Sequence, residues 1–248
     1  MGFDLELLRE IMISCIIPFT INEISYIDKC LYSLLLSASL CKEEVEIIIV
    51  ENGEEIRFDT SKYGDKVKRI YISHSDMDDA KNTGAQFAKG DIFCFLDADN
   101  TVTEEYFSEI SEKSKNDYFI GGGTKYWEST RKFTLGIYTF FILALIIFII
   151  RHIINPFSPP TVLSFWIRKD VFFKIGKWIP CSLTGLSKFF FYVHPRFDYC
   201  DDIHFGVRVK KYAKIHNKKF ESLKRTKVIW NTRKFDKFGD WSWIKWLN

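Results

Sequence analysis

The sequence predicts an α/β domain with a mostly parallel central sheet flanked by helices. Continuous apolar runs rich in β-branched residues indicate strands that are buried on both faces, as strands of a parallel sheet are. Segments with apolar residues at helical spacing alternate with these runs, and this alternation is typical of α/β folds. The predicted strands are Ile11–Pro18, Val45–Val50, Lys68–His74 and Ile92–Leu96, and the predicted helices are Ile24–Leu40 and Asp79–Lys89.

The charge of the chain is unevenly distributed. Its 248 residues carry a formal net charge of only +3, but 13 Lys or Arg residues face three acidic residues between Phe205 and Asn248. Such a basic end suits an anionic membrane surface or a phosphorylated ligand, the alternative being a solvated face without a partner. No nucleic-acid-binding motif accompanies the charge, so nucleic acid is not expected as a partner.

The cysteine pattern indicates a reducing compartment. The six cysteines contain no C-x-x-C pair, and we interpret them as reduced thiols in the cytosol. The first ten residues lack a basic start followed by a long apolar core, so no secretory signal is predicted.

Two carboxylates follow the predicted strand Ile92–Leu96, with one residue between them. Asp97 and Asp99 would repel each other at the end of a buried strand unless a divalent cation and a polyphosphate bound there. Oxygen ligands favour Mg²⁺ or Mn²⁺, whereas the alternative is a solvated acidic turn. Neither a glycine-rich dinucleotide fingerprint nor a Walker loop follows the first strand, which argues against hydride transfer and against a P-loop ATPase.

A long apolar segment, Phe133–Ile150, contains no charged residue. Its length is that of a membrane span, but a single crossing would place the two halves of the chain on opposite sides of the bilayer. We therefore favour an interfacial, monotopic or re-entrant segment, with a buried core helix as the alternative.

Two short segments have two possible interpretations each, and one residue is a candidate helix cap. Gly121–Gly123 indicates either close approach of backbone to a ligand or a flexible turn. Thr232–Phe235 is either a segment that closes over a diphosphate or a surface strand. Asn22 is a plausible cap for the first helix.

Short motifs follow one another along residues 13–238. They are C-I-I-P (15–18), V-E-N-G (50–53), K-N-T-G (81–84), A-K-G-D (88–91), L-D-A-D (96–99), V-F-F-K-I-G (171–176) and D-D-I-H-F-G-V-R (201–208). In this order they resemble the family 2 glycosyltransferases of the GT-A fold, a Rossmann-like nucleotide-diphospho-sugar transferase fold. The V-E-N-G motif departs from the family's V-D-D-G, which leaves the choice of nucleobase open.

The resemblance implies roles for particular residues. Asp97 and Asp99 would hold Mn²⁺ or Mg²⁺, and Asp202 would be the general base of an inverting transfer. The donor would be a UDP- or GDP-sugar. Its binding residues would be Pro18, Thr20, Glu51, Asn52, Lys81, Asp97, Ala98, Asp99 and Arg233.

The predicted organisation has three parts: a nucleotide-sugar-binding half (1–127), a hydrophobic membrane-associating helical insertion (128–160) and an acceptor-side half with a basic end (161–248). The predicted function is a metal-dependent transfer of a sugar to a lipid-linked (polyprenyl or dolichyl) or glycan acceptor. It would occur at the cytoplasmic face of the cell membrane, with the protein monotopic or peripheral. The alternatives are a glycosyltransferase that acts in solution on a water-soluble glycan, and a non-catalytic membrane-bound scaffold of the same fold.

Overall fold

The computed structural model describes residues 10–74, 76–130, 132–154, 163–178 and 201–241. Strands and helices alternate along these residues. The strands are β1 (Ile13–Phe19), β2 (Val45–Asn52), β3 (Val67–Ile72), β4 (Ile92–Leu96), β5 (Thr101–Val102), β6 (Phe119–Ser129), β7 (Ser164–Arg168), β8 (Lys219–Phe220) and β9 (Leu223–Trp230). The helices are α1 (Ile27–Leu40), α2 (Met77–Phe87), α3 (Tyr106–Ser114), α4 (Leu135–Ile154), α5 (Lys169–Lys174), α6 (Asp201–Ile215) and α7 (Arg233–Phe238).

The strands of the described ranges form one sheet in the order β3-β2-β1-β4-β7-β6-β9-β5, with β8 beside β6. β3, β2, β1 and β4 are parallel to one another. β7 joins β4 in the antiparallel direction and pairs on its other edge with β6, again antiparallel. β6 is parallel to β8 and β9, so the mostly parallel α/β sheet that the sequence predicts is confirmed.

Alternating side chains bury both faces of this sheet. On β1, Cys15 and Ile17 belong to the core under α1 and α3, whereas Ile16 belongs to the core under α2 and α6. Helix α2 packs closely on β1 at Gly84, where an added Cβ would lie 2.4 Å from the Ile16 side chain. Burial on both faces is the physical reason that these strands read as unbroken apolar runs.

The first helix starts later than the sequence indicates, and Asn22 does not cap it. α1 begins at Ile27, and Asn22 lies in a 3-10 turn, Ile21–Glu23, that has its own cap. The Thr20 side chain accepts from the Asn22 N–H at 3.3 Å, and Glu23 accepts from the Thr20 N–H at 2.9 Å. This reciprocal capping box ends β1 and holds the chain before α1.

The three glycines at 121–123 lie inside β6, so the flexible-turn alternative is wrong. A Cβ on Gly122 would lie 1.6 Å from the carbonyl oxygen of Glu221, and one on Gly121 would lie 2.7 Å from that of Trp166. The close approach is therefore between two stretches of this chain's own backbone, where no side chain fits.

Helix α4 covers most of the predicted apolar segment and packs by one side only. Ile137 is fully buried, and it clusters with Phe140 of the same helix and Phe235 of α7. The other side of α4 exposes a stripe of large apolar residues: Leu135, Tyr138, Ile142, Leu145, Ile146, Ile149, Ile150 and Ile153. Across the described ranges, no helix combines the length and apolarity that crossing a bilayer requires.

The division into three parts stays a prediction. Strands from residues 1–127 and from residues 161–248 share one sheet, and β6 continues to Ser129. Four cysteines lie in the described ranges, and all are free thiols: Cys15, Cys30, Cys41 and Cys94. Cys181 and Cys200 lie outside those ranges.

Candidate active site

A cleft of about 750 Å³ opens beyond the carboxyl ends of β1 and β4. Ligands of open α/β sheets bind at this edge, and the volume suits a small molecule of nucleotide size. Thr20 follows β1 and Asp97 follows β4, so both are delivered to the cleft by strand ends. The full lining is Thr20, Asn22, Glu23, Ser25, Tyr26, Met77, Asp97, Ala98, Asp99, Arg233 and Lys237.

The acidic pair converges on the cleft because the chain turns directly after β4. The Asn100 N–H donates to the Asp97 carbonyl oxygen at 3.1 Å, which closes the turn. Ala98 is buried and Asp97 is exposed, whereas the Asp99 side chain is largely buried. Both carboxylates line the cleft, so the predicted convergence of Asp97 and Asp99 is found.

Sheet register brings Arg233 to Asp99 from 134 residues away. β5 pairs with β9 in the antiparallel direction, with Thr101 opposite Ile229. Beyond this pair the two segments stay together, because the Asn231 N–H donates to Asn100 Oδ1 at 3.4 Å, and α7 begins two residues after Asn231. The Arg233 Nε lies 2.5 Å from the Asp99 Oδ2.

Three groups of the cleft hold the Arg233 guanidinium. Besides Asp99, Glu23 forms a short ion pair with the Arg233 Nη2, and the Asn22 carbonyl oxygen accepts from Nη1 at 3.3 Å. Burial opposes the charge on Arg233, but Asp99 and Glu23 outweigh it and raise the pKa of the guanidinium. The Thr232–Phe235 segment is thus a helix start beside the acidic pair, and the surface-strand alternative is wrong.

Glu51 supports a loop rather than lining the cleft. Its side chain is fully buried and forms a short hydrogen bond with the Ile56 N–H. It also accepts from the N–H groups of Arg57 and Phe58 at 3.1 and 3.3 Å, and the Arg69 Nε lies 2.7 Å away. Burial opposes ionisation of Glu51, but Arg69 and these N–H donors hold its pKa below the ordinary value.

Asn52 has a buried side-chain oxygen, Oδ1, with no hydrogen-bond partner. Its Nδ2 lies 3.8 Å from the sulfur of Met77, a residue that lines the cleft. An unpaired buried acceptor is costly, so Asn52 is a candidate acceptor for a ligand N–H.

Lys81 reaches a small cavity of about 20 Å³ that also touches Asp97. The ammonium lies 4.2 Å from the centre of the Trp178 ring and 3.6 Å from the Asp78 carboxylate. Lys81 is nearly buried, so the small cavity that it shares with Asp97 is bordered by one cationic and one anionic residue.

The structure does not place two of the predicted site residues, Pro18 and Asp202, at the cleft. Pro18 is buried in β1 opposite Val50 and is not among the residues that line the cleft. Asp202 lies in the first turn of α6, and its side chain is outside the described residues. The donor-binding, metal and catalytic assignments made from sequence therefore stay predictions.

The residues of the cleft fit a divalent ion that arrives together with a diphosphate. In the described part of the chain, no cluster of three or more His, Cys, Asp or Glu side chains is placed to hold a metal ion. Mg²⁺ is commonly held by one or two carboxylates and completed by phosphate oxygens. Asp97 and Asp99 match that pattern, and the Asp99 carboxylate is already neutralised by a cationic group.

Sequence reasoning missed several lining residues, among them Glu23, Tyr26, Met77 and Lys237. The capping-box pattern from Thr20 to Glu23 is visible in the sequence and would have located the turn. The others depend on tertiary contacts, and no local pattern marks them.

A family model described as Glycosyl transferase family 2 matches residues 14–177. Among curated proteins, the uncharacterized glycosyltransferase EpsJ of Bacillus subtilis (strain 168) is 29% identical over 109 residues, which are 42% of this chain and 30% of that protein.

Two solved structures resemble the fold. Residues 1–349 of TarS from S. aureus, in complex with UDP-GlcNAc, give a TM-score of 0.53 at 15% identity, over 80% of this chain and 53% of TarS 1–349. The mannosyltransferase PcManGT from Pyrobaculum calidifontis, in complex with GDP-Man and Mn²⁺, gives 0.56 at 10% identity, over 90% of this chain and 58% of PcManGT. This chain spans less than two thirds of each of these relatives. At these identities the likeness shows the fold, which confirms the predicted GT-A class.

Proposed function

The chain belongs to glycosyl transferase family 2, and from this premise we propose that it transfers a sugar from a nucleotide donor to a lipid-linked acceptor at a membrane surface. The observation that carries the proposal is the cleft beyond β1 and β4. Its lining contains the acidic pair Asp97 and Asp99, a third carboxylate, Glu23, and two cationic side chains, Arg233 and Lys237. Carboxylates for a metal ion and cations for phosphate oxygens are the charge pattern that a metal-bound diphosphate needs.

The donor diphosphate would lie between the acidic pair and α7. A divalent ion held by Asp97 and Asp99 would neutralise charge on the departing diphosphate. Arg233 and Lys237 lie one helical turn apart on α7 and line the same cleft, so both would pair with phosphate oxygens.

The nucleobase would be read at the end of β2. The unpaired Asn52 Oδ1 would accept an N–H from the base, and Glu51 would shape the adjacent loop. Uracil and guanine both carry such an N–H, and the two structural relatives contain UDP-GlcNAc and GDP-Man. The proposal therefore covers a UDP- or a GDP-sugar.

Asp202 would be the general base, an assignment that rests on its place in the D-D-I-H-F-G-V-R motif. It would remove the proton from the acceptor hydroxyl as this oxygen attacks the anomeric carbon opposite the leaving group, so the configuration would invert. An acceptor that is already an ionised phosphate needs no such removal, and Asp202 would then orient it.

The exposed stripe of α4 supports the choice of a lipid-linked acceptor. Its eight large apolar side chains extend along a helix of 20 residues, about 30 Å long. Exposed Lys132 precedes the helix, and basic residues dominate the C-terminal region. An apolar stripe with basic flanks fits an anionic leaflet, and we propose the cytoplasmic face of the cell membrane with the protein lying on it.

The test uses purified protein with vesicles of a bacterial lipid extract, radiolabelled UDP- and GDP-sugars, and Mn²⁺. We expect label in the lipid phase, and a fall of roughly a hundredfold or more in Asp99→Asn because the leaving group loses its charge stabilisation. Asp202→Asn should lower turnover while donor binding persists. Exposed Asp65→Asn is the matched control and should leave transfer unchanged.

Other outcomes point elsewhere. Transfer only to water-soluble glycans would support an enzyme acting in solution. Donor binding that depends on the metal without any transfer would favour a non-catalytic scaffold. Full activity in Asp99→Asn would contradict the proposed metal role.

A further inference from the structure

Arg233 holds the position on Asp99 that a metal ion would need. Its Nε lies 2.5 Å from Oδ2 of Asp99, and its Nη2 pairs with Glu23. All three side chains are at least four-fifths buried, with exposed fractions of 20% for Arg233, 14% for Asp99 and 10% for Glu23. This is a desolvated ion cluster inside the cleft and not a solvent-exposed surface pair.

A divalent cation and this guanidinium compete for Oδ2 of Asp99. A metal ion binds a carboxylate oxygen at about 2.0–2.1 Å in the case of Mg²⁺, and the same oxygen now accepts from Arg233. Two cations on one oxygen repel strongly where water is scarce. Metal binding through Oδ2, in the arrangement seen here, therefore requires the guanidinium to leave that oxygen.

We propose that Arg233 is an exchangeable counter-ion for Asp99. It neutralises the carboxylate while the cleft is without donor, and it yields Asp99 to the divalent cation that enters with the nucleotide sugar. The guanidinium then turns to the diphosphate. This inference rests on the proposed function for the identity of the donor, but the competition at Asp99 is testable with metal alone.

The contacts around α7 allow the side chain to exchange without moving the backbone. The Arg233 N–H donates to Asn231 Oδ1 at 2.9 Å, and the hydroxyls of Thr130 and Thr232 lie 3.0 Å apart. Phe235 is buried against Phe140 of α4, with ring centres 5.7 Å apart. The start of the helix is therefore anchored, and only the torsions of the arginine side chain need to change.

Glu23 retains the guanidinium inside the cleft during the exchange. Its carboxylate is fixed by the capping box, since Oε2 accepts from the Thr20 N–H at 2.9 Å. Its other oxygen, Oε1, pairs with Arg233. Arg233 can leave Asp99 and still keep a buried anionic partner, so the departure does not strand an unpaired charge.

The experiment measures Mn²⁺ affinity without nucleotide, by electron paramagnetic resonance of free Mn²⁺. Arg233→Met keeps an unbranched side chain that covers the aliphatic part of arginine, and it removes the charged guanidinium. We expect it to bind Mn²⁺ roughly tenfold more tightly than wild type, within the usual range of coupling between two ligands of one site. Asp99→Asn should abolish this gain. Added UDP or GDP should raise Mn²⁺ affinity more in wild type than in Arg233→Met, because the variant has no guanidinium to turn toward the diphosphate.

Lys237→Met is the matched control, because it removes a positive charge from the same helix and the same cleft without removing the donor to Asp99 Oδ2. An equal gain in both variants would mean general electrostatics and would overturn the exchange. If Arg233→Met does not fold, Arg233→Lys replaces it. A single ammonium holds Asp99 and Glu23 less well together, so a smaller gain than tenfold is expected, and no gain would overturn the proposal.

The two proposals fail in different ways. Mn²⁺ binding to wild type alone as tight as to Arg233→Met would overturn the exchange and leave glycosyl transfer intact. A lack of Mn²⁺ binding by every variant, with and without UDP or GDP, would overturn the metal role in both.

Discussion

Several carboxylates in this protein are held in position by hydrogen-bond donors that lie far away in sequence or on a neighbouring loop. Glu51 is the clearest case, because its buried oxygens take three backbone N–H donors and the Arg69 guanidinium. The sequence marks Glu51 as a departure from the family's Asp-Asp pair. The structure gives a reason for the longer side chain, since it spans from the end of β2 to the loop at 56–58.

Glu51→Gln should destabilise the fold by about 2–3 kcal/mol at pH 7. The substitution replaces one carboxylate oxygen by an NH2 group and removes the negative charge, so the charge-assisted hydrogen bonds to Glu51 are lost. The pKa of Glu51 lies below its ordinary value of 4.5. Its contribution to stability is therefore fully present above pH 4.5 and is lost as the pH falls through the lower folded pKa. Urea unfolding at a series of pH values should show the difference between wild type and variant shrinking below pH 4.5.

Glu55→Gln is the matched control for this measurement. Glu55 also contacts Arg69, at 3.5 Å, but its side chain is 39% exposed, so its loss should change stability by less than about 0.5 kcal/mol. Equal effects of the two substitutions, at every pH, would argue against the role assigned to the buried carboxylate.

The backbone of β6 packs closely against the backbone of β7 and of Glu221. β6 carries three successive glycines because its main chain passes that of Glu221 and pairs with β7. From the sequence, these glycines fit either a turn or a ligand approach. Only the path of the chain around β8 decided that the approach is between two parts of the same protein.

Gly122→Ala should prevent stable folding or cost on the order of 4 kcal/mol or more. The added Cβ would overlap a main-chain oxygen, and main chain has no rotamer to move. Gly64→Ala provides a comparison, since its φ is +64° but nothing lies within 4 Å of the added Cβ. That variant should cost only about 1–2 kcal/mol. Thermal unfolding followed by circular dichroism separates the two, and similar melting temperatures would refute the contact.

Among the residues that the structure describes, α4 carries a stripe of exposed apolar side chains on the side that does not pack on α7. Because Phe235 of α7 packs on Phe140 of α4, the proposed membrane contact lies one helix away from Arg233 and the donor cleft. This arrangement would hold the cleft close to the lipid surface on which the proposed acceptor lies.

Replacing Ile142, Leu145 and Ile149 together by Ser should weaken binding to vesicles of phosphatidylglycerol and phosphatidylcholine at least roughly tenfold, because each side chain loses apolar burial in the interface. All three are exposed, so the fold should persist. Co-sedimentation with the vesicles measures the effect. Ile215→Ser, at a still more exposed isoleucine on α6, should leave binding unchanged, and an effect as large as that of the triple variant would contradict the proposed contact.

The sequence by itself determined the α/β class, the order of the first four strands and the first two helices along the chain, and the position of Asp97 and Asp99 at a strand end. These features follow from local periodicity and from motifs that occupy neighbouring residues. Tertiary structure alone decided that Arg233 pairs with Asp99, that Glu51 supports a loop, and that the glycines of β6 lie in a strand. Each of these depends on contacts between segments that lie from 5 to 134 residues apart, and neither segment by itself shows which residue of the other it contacts.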